Sequence, residues 1–186
     1  MRRNDKELDR LPGDLSKEDL IARFIRVDQA GEYGAKRIYE GQLSILGGTA
    51  DGPSLRRMAK AEEAHLEVFN KMLVERQVRP TVLAPLWHLT GYALGVGTAL
   101  MGRKAVMACT VAVEEVIEEH YAGQIRKLDG KEDAELLETI KKFQKEEIEH
   151  KEIAKAKGAE EAVGYPILSR AVKSGSRLAI WLSERI

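Results

Sequence analysis

With a single cysteine in 186 residues, the chain can form no intrachain disulfide, and without a cysteine cluster it can hold neither a structural zinc ion nor an iron–sulfur cluster. Cys109 sits in an apolar run and reads as a small core residue in a reducing compartment. An excess of charge of one sign is also missing. Thirty basic residues balance thirty acidic ones, which leaves no general electrostatic drive toward nucleic acid. Alternating β-branched runs are scarce, which argues against a sheet protein, and no G-x-G-x-x-G follows a strand pattern, which excludes a Rossmann nucleotide site. The first ten residues mix Asp and Glu with Arg and have no apolar core, unlike a secretory signal or an acid-poor transit peptide. The expected setting is the cytoplasmic side of a bacterial membrane, or an organelle after loss of a presequence.

What is present reads as helix. At 44% hydrophobic content the chain can bury a substantial core, and a single domain over 1–186 is expected, with 1–15 a flexible N-terminus. Ser16, followed three residues on by Asp19, marks the start of a helix running to about Leu46. Gly47 to Ser54 is a break, with Pro53 suited to the first turn of a second helix that stops before Pro80. Further helices are expected from about Gly102 to Lys127, from about Lys131 to Lys157, and after Pro166, with Leu128-Asp129-Gly130 and Gly158 as stops.

Two of these helices carry a costly interruption. Leu55, Met58, Ala59, Glu62, His65, Leu66 and Phe69 fall on one stripe, as do Ile140, Phe143, Glu147, His150 and Ala154. An unpaired carboxylate in such a stripe costs several kcal/mol, and a metal ion is one remedy, since residues at i and i+3 can address the same ion. Phase selects Glu62, because Glu63 would lie beside Arg56, Lys60, Glu67 and Asn70 on a solvated face. It selects Glu114 likewise, on a stripe with Met107, Val111, Ile117 and Tyr121, whereas Glu115 leans toward Glu118 and Glu119. Glu32 shares a mixed stripe with Ile25, Asp28, Ala35 and Tyr39. Glu146 competes with Glu147 by spacing alone.

The halves repeat. Glu32 is followed thirty residues later by Glu62 and His65, and Glu114 thirty-three residues later by Glu147 and His150, a symmetry that favours Glu147 over Glu146. In carboxylate-bridged dinuclear bundles two helices each give one Glu and two others each give Glu-x-x-His. The fold expected is therefore all-α, a carboxylate-bridged four-helix bundle with a dinuclear core and two additional amphipathic or hydrophobic helices. Four carboxylates and two imidazoles form an oxygen-rich donor set that suits iron or manganese, with two iron ions favoured and coordination positions left open for dioxygen.

Between the halves, Thr81 to Gly102 holds twenty-two residues without a charge, bracketed by Arg79 and Arg103. Its length would span a bilayer, but Pro85, His88 and four glycines weaken a regular spanning helix, and one span would separate the two halves of the site. The segment 80–102 therefore reads as a surface-inserted or lid-like amphipathic element with Trp87 and Tyr92 as interface anchors, the alternatives being a core helix or a self-association face. In the C-terminal segment 166–186, Arg170, Lys173 and Arg177 alternate with Leu178, Ile180, Trp181 and Leu182 in a second amphipathic helix that can face anionic lipid, a partner or a phosphate-bearing reductant.

Four stretches carry a family resemblance: Arg26-Val27-Asp28-Gln29-Ala30-Gly31-Glu32-Tyr33-Gly34-Ala35, Arg79 through Trp87, Ala108-Cys109-Thr110-Val111-Ala112-Val113-Glu114-Glu115, and Leu182-Ser183-Glu184-Arg185. From about Leu20 to Ile186 the chain resembles the demethoxyubiquinone hydroxylases of ubiquinone biosynthesis. The resemblance implies a ferritin-like di-iron monooxygenase that hydroxylates the ring of the demethoxyubiquinone or demethoxyubiquinol intermediate with O2 and electrons from NADH. It places the iron ligands on Glu32, Glu62, His65, Glu114, Glu147 and His150. It also implies that His120 and Tyr121 lie near the iron, with a helix-surface His120 as the alternative. NADH contacts would fall on Arg23, Trp181 and Arg185, where Trp181 stands in place of the family's tyrosine, and a separate reductase is the alternative donor. The implied setting is peripheral, on the cytoplasmic face of a bacterial inner membrane or the matrix face of the mitochondrial one. The implied partners are the lipid surface, other ubiquinone-biosynthesis proteins including a lipid-presenting partner in eukaryotes, and further copies of the chain in a homo-oligomer. Two rival readings are a ferritin- or erythrin-like handler of iron or peroxide, which would share the six ligands, and a non-enzymatic quinone-binding scaffold, in which they would form an ion-pair seam.

Overall fold

A computed structural model describes residues 13–128 and 133–186, and over these it is helical apart from short connections. The helices are α1 (Lys17–Leu46), α2 (Gly52–Glu75), α3 (Ala84–Leu100), α4 (Arg103–Lys127), α5 (Ala134–Ala156) and α6 (Tyr165–Ser183), with a 3-10 turn at Ala159–Glu161. α1 packs on α2 and α4 on α5, and these two hairpins face each other to make the four-helix core; α3 lies along α1, and α6 lies mainly on α4. Helix ends follow local chemistry. Ser16 Oγ accepts from the Asp19 amide at 2.9 Å, the cap expected from the sequence, and Pro53 and Pro166 occupy the first turns of α2 and α6. The start expected near Lys131 lies outside the described residues; α5 is described from Ala134, where Asp133 accepts from the Leu136 amide at 3.0 Å. Gly158, with φ of +84°, turns the chain out of α5 in a backbone region that favours glycine.

The interior is layered along the bundle axis. Phe24, Ile25, Phe69, Leu136, Ile140 and Phe143 close one end, and Leu55, Met58, Val106, Met107 and Ala154 close the other. Between them the same stripes present Glu32, Glu62, His65, Glu114, Glu147 and His150, all buried. A third apolar group joins Cys109, Ala112 and Val113 of α4 to Val172 of α6. Burial pushes the Cys109 thiol up to about 12, as suits a core residue.

α3 differs from expectation in an instructive way. Its glycines do not weaken the helix, which is regular over Ala84–Leu100; they let it touch α1 backbone to backbone. A Cβ on Gly95 would run into the Ile38 carbonyl oxygen, one on Gly41 into the Tyr92 carbonyl, and one on Gly91 would stand 3.0 Å from the Gly34 carbonyl. Trp87 is not an outward anchor, because its indole N–H donates to Ser183 Oγ at 3.0 Å and ties α3 to α6. Tyr92 lies under the Arg37 guanidinium, 4.9 Å from its ring centroid. The outer face nonetheless keeps Leu86, Leu89, Leu100 and Met101 exposed, and no helix among the described residues is long and apolar enough to cross a membrane.

The close crossing of α1 and α3 sets up a paired test. Glycine to alanine inside a helix ordinarily gains about 0.5–1 kcal/mol. Gly97→Ala, with nothing within 4 Å of the added atom, is expected to show that gain. Gly95→Ala is expected to lose about 1–3 kcal/mol, because the backbone of α1 must move. Denaturant titration of both variants checks the opposite signs.

Candidate metal centre

Each helix of the core contributes to one polar layer. Glu32 comes from α1, Glu62 and His65 from α2, Glu114 from α4, and Glu147 and His150 from α5. Their donor atoms fall into two groups: Glu32, Glu62, His65 and Glu147 within 4.8 Å of one another, and Glu62, Glu114, Glu147 and His150 within the same limit. Glu62 and Glu147 belong to both. Such an arrangement could hold two adjacent cations, with Glu62 and Glu147 available to both and one further Glu and one His for each. Both imidazoles turn Nδ1 inward: His65 Nδ1 lies 2.9 Å from Glu147 Oε1 and 3.5 Å from Glu32 Oε2, and His150 Nδ1 lies 3.1 Å from Glu147 Oε2 and 3.3 Å from Glu62 Oε1.

The electrostatics show what the layer lacks. Burial, then repulsion from Glu147 and Glu32, drives the Glu62 carboxyl well above its ordinary value; burial, then Glu147 and Glu62, does the same to Glu114. Burial would also raise Glu147, but the two imidazoles overcome it and bring it down to about 2. Burial would lower His65, but Glu147 and Glu32 overcome it and take it up to about 11. In the protein alone, therefore, protons occupy the place of cations. Glu32 Oε2, both oxygens of Glu62, Glu114 Oε2 and Glu147 Oε1 are buried without a hydrogen bond. Five such carboxylate oxygens converging on one layer are what a pair of divalent ions would satisfy, so the donor set fits iron.

The surrounding groups hold this layer in place, and several were not singled out from sequence. Tyr121 of α4 donates to Glu32 of α1, and Tyr39 of α1 donates to Glu114 of α4 at 3.2 Å, a reciprocal exchange between the two helices that carry single glutamates. Burial, followed by the neighbouring carboxylates, holds both phenols well above their ordinary value, so both remain donors. Tyr121 was expected near the centre; Tyr39 was seen only as a stripe residue, although the spacing Glu-x6-Tyr recurs in both halves. Glu146, weighed as a rival of Glu147, has a different place: its Oε2 lies 2.6 Å from His65 Nε2, the ring nitrogen that points away from the cluster. Glu63 lies on the surface, paired with Lys36 at 2.7 Å, as its phase predicts, and Glu115 pairs with Lys173 of α6.

Beside the centre is a cavity of about 520 Å³, walled by α1, α3, α4 and α6 and reaching Glu32, His120 and Tyr121. Its remaining wall is mostly apolar, from Ile38, Leu94, Val113, Ile117 and Leu168 among others. His120 is thus not a plain surface residue; it faces the cavity, with Nε2 3.2 Å from Asp28 Oδ1. At the far end of α6, Trp181 and Arg185 are brought together, the guanidinium 4.3 Å from the indole centroid, while Arg23 on α1 shares no hydrogen bond or ion pair with either of them.

The position of Glu146 makes a test separate from the ligands themselves. A carboxylate on the outer nitrogen of a metal-binding imidazole fixes its tautomer and raises its basicity, and its loss costs about 10- to 100-fold in metal affinity. Glu146→Ala is expected to weaken one of two ferrous ions by that factor and leave the other near its normal affinity, in a competition titration against a chromophoric chelator.

Comparison with known proteins agrees with the geometry. Residues 19–183 match the family model described as Ubiquinone biosynthesis protein COQ7. The chain is 54% identical over 179 residues to the 3-demethoxyubiquinol 3-hydroxylase of Rhodospirillum rubrum, covering 96% of this chain and 84% of that one. It is 52% identical over 169 residues to the human mitochondrial protein named NADPH-dependent 3-demethoxyubiquinone 3-hydroxylase, covering 89% and 78% respectively. To the mitochondrial 5-demethoxyubiquinone hydroxylase of Saccharomyces cerevisiae it is 41% identical over 182 residues, covering 89% and 78%. Six buried carboxylate and imidazole groups, the cavity beside them and a match over nearly the whole length lead to one assignment: the chain belongs to the COQ7 family of ubiquinone biosynthesis proteins.

Proposed function

We propose that the chain is an oxygen-dependent di-iron monooxygenase that hydroxylates the ring of demethoxyubiquinone or demethoxyubiquinol. The observation that carries this reading is the adjacency of an apolar cavity to the carboxylate–imidazole layer, with Glu32, Tyr121 and His120 in its wall. An iron store needs the six ligands but has no use for a cavity of this size and polarity. Glu32, Glu62, His65, Glu114, Glu147 and His150 would hold the two iron ions, Glu62 and Glu147 being within reach of both groups of donors. When bound, the iron pair supplies the redox chemistry that divides dioxygen, one oxygen going to the ring carbon and the other to water, with two electrons from a reduced nicotinamide nucleotide.

The remaining work falls to the protein. The aliphatic wall receives the reacting ring and excludes water from it. Tyr121 keeps Glu32 oriented by donating to it, and His120 offers a hydrogen bond to a ring oxygen. The isoprenoid tail leaves between α3 and α6, where each buried methylene contributes about 0.8 kcal/mol. Exposed Leu86, Leu89 and Leu100 on α3, Met101 just after it and Ile167 on α6 support a peripheral seat on a membrane surface, or an interface with another copy or a lipid-presenting protein. The stacked Trp181 and Arg185 support a nicotinamide nucleotide at the end of α6, with Arg23 as a further contact. NADH is the donor that the family resemblance implies, whereas the human relative is named for NADPH.

The test is the mass of a short-tailed demethoxyquinone after incubation with ferrous-loaded protein, air and either nucleotide. A gain of one oxygen, absent from Glu147→Ala, is expected; an unchanged quinone despite two bound irons per chain would sink the proposal. Gly31 adds a second handle, since it lines the cavity with nothing within 4 Å of a built Cβ. Gly31→Val is expected to raise KM for the quinone roughly tenfold, equivalent to about 1.4 kcal/mol, with iron content unchanged.

A further inference from the structure

The register shift that lays Glu32 on Glu114 also lays Tyr39 on Tyr121, Asp28 on Thr110, Gly31 on Val113, Ile38 on His120 and Gln42 on Gln124. The two sides of the centre can therefore be compared position by position. Beside Glu32 lies the cavity of about 520 Å³; beside Glu114, walled by Ala35, Ile38, Tyr39, Thr110 and Val113, is a counterpart of only about 10 Å³. Every one of those wall residues has its equivalent in the large cavity. The polar chemistry divides in the same way. On the small side Ile38 replaces the histidine, and the buried amide of Gln42 makes no hydrogen bond. On the cavity side Asp28, Gln124 and His120 are joined. The fold does not require this cluster, since its other half does without it.

The geometry of the cluster fixes a proton. Gln124 Nε2 lies 2.7 Å from Asp28 Oδ1 and 2.9 Å from His120 Nε2. An amide nitrogen has two hydrogens and no acceptor capacity, so in this orientation one hydrogen goes to Asp28 and the other, at the shorter distance of 2.9 Å, makes His120 Nε2 an acceptor, against the competing pull of Asp28 Oδ1 at 3.2 Å, which would favour an N–H there. Turning the amide over would set its oxygen against Asp28 Oδ1 in a buried site, where like poles are costly. Asp28 thus orients Gln124, and Gln124 leaves the proton of neutral His120 on Nδ1, the nitrogen that neither partner engages. Asp28 and Gln124 are buried, while His120 retains 15% exposure toward the cavity.

We propose that Asp28 and Gln124 are positioning residues that hold neutral His120 as the Nδ1–H tautomer, so that it donates a hydrogen bond to a ring oxygen of the quinone. This deepens the hydroxylase reading and rests on it. The ring is then addressed from the Glu32 side of the centre, with an N–H donor on one side and the apolar wall on the other.

The test uses the full-length chain loaded with diamagnetic zinc and labelled with 15N in histidine. Two-bond proton–nitrogen correlations distinguish the tautomers, and His120→Gln identifies the resonance. Wild type is expected to show Nδ1–H, with a further shift of that signal when a short-tailed quinone binds. Gln124→Leu removes the donor and leaves Asp28 as the nearest acceptor of His120 Nε2, at 3.2 Å, so the Nε2–H form is expected. In the iron-loaded enzyme the same variant is expected to lose about 10- to 100-fold in kcat/KM, the scale of losing a partner that orients an imidazole. Asp28→Leu removes the acceptor that orients Gln124 and lets the amide turn its oxygen toward His120 Nε2, so the Nε2–H form and a comparable loss in kcat/KM are expected; it covers the case that Gln124→Leu does not fold, and an unchanged tautomer there would equally overturn the proposal. Nε2–H in wild type, an unchanged tautomer in Gln124→Leu, or no response of His120 to bound quinone would each overturn the proposal. Wild-type protein that binds no quinone would instead sink the reading beneath it.

Discussion

Four carboxylates and two imidazoles buried in one layer are the constraint on which the rest of this structure depends. Burial without compensation costs each ionised group several kcal/mol, far beyond the margin of a folded domain. In the protein alone the cost is met by protons, with Glu62 and Glu114 pushed toward the neutral acid and His65 toward the imidazolium. Divalent ions would replace those protons and bring the carboxylates back to their charged form, so metal affinity and proton affinity compete directly. The helices are built to endure this competition. Apolar clusters clamp the layer from both ends, and Phe143 stacks on His65 with centroids 3.9 Å apart, so the imidazole is held by packing as well as by charge.

The layer is nearly two-fold symmetric, and its function depends on where that symmetry fails. Tyr39 and Tyr121 cross between α1 and α4 to equivalent glutamates, which makes the two halves mutually supporting. At the next positions out they diverge. Gly31 leaves space where Val113 fills it, and His120 stands where the other half has Ile38. A symmetric centre gives a substrate no reason to choose a side. One small residue and one polar cluster provide that reason without disturbing the ligands.

Much of this was legible in the sequence because burial imposes periodicity. Helix phase separated Glu62 from Glu63 and Glu114 from Glu115, and the four-helix core with two extra helices follows from the stops and the repeated ligand spacing. What was not legible depends on contacts between helices. Glu146 and Glu147 differ only in which side of His65 they reach, a distinction set by the crossing of α2 and α5. Asp28 and Gln124 are far apart in sequence and become one cluster only when α1 meets α4. The glycines of α3 were read as helix-weakening, because a sequence shows the missing side chain but not the neighbouring backbone that occupies its place.

That neighbouring backbone connects the outer surface to the chemistry. α3 meets α1 at Gly34, Gly41, Gly91 and Gly95, so α1 carries Asp28, Glu32 and Tyr39 on its inner side and α3 on its outer side. The same short crossing brings Trp87, Thr90 and Leu94 into the cavity wall while Leu86 and Leu89 stay exposed. A larger residue at the crossing would lift α3 and open the cavity along its length, admitting water where an apolar ring and tail are meant to lie. The glycines therefore do more than permit packing. They set the distance between an apolar outer surface and a buried polar centre at little more than one helix, short enough for one molecule to lie across both.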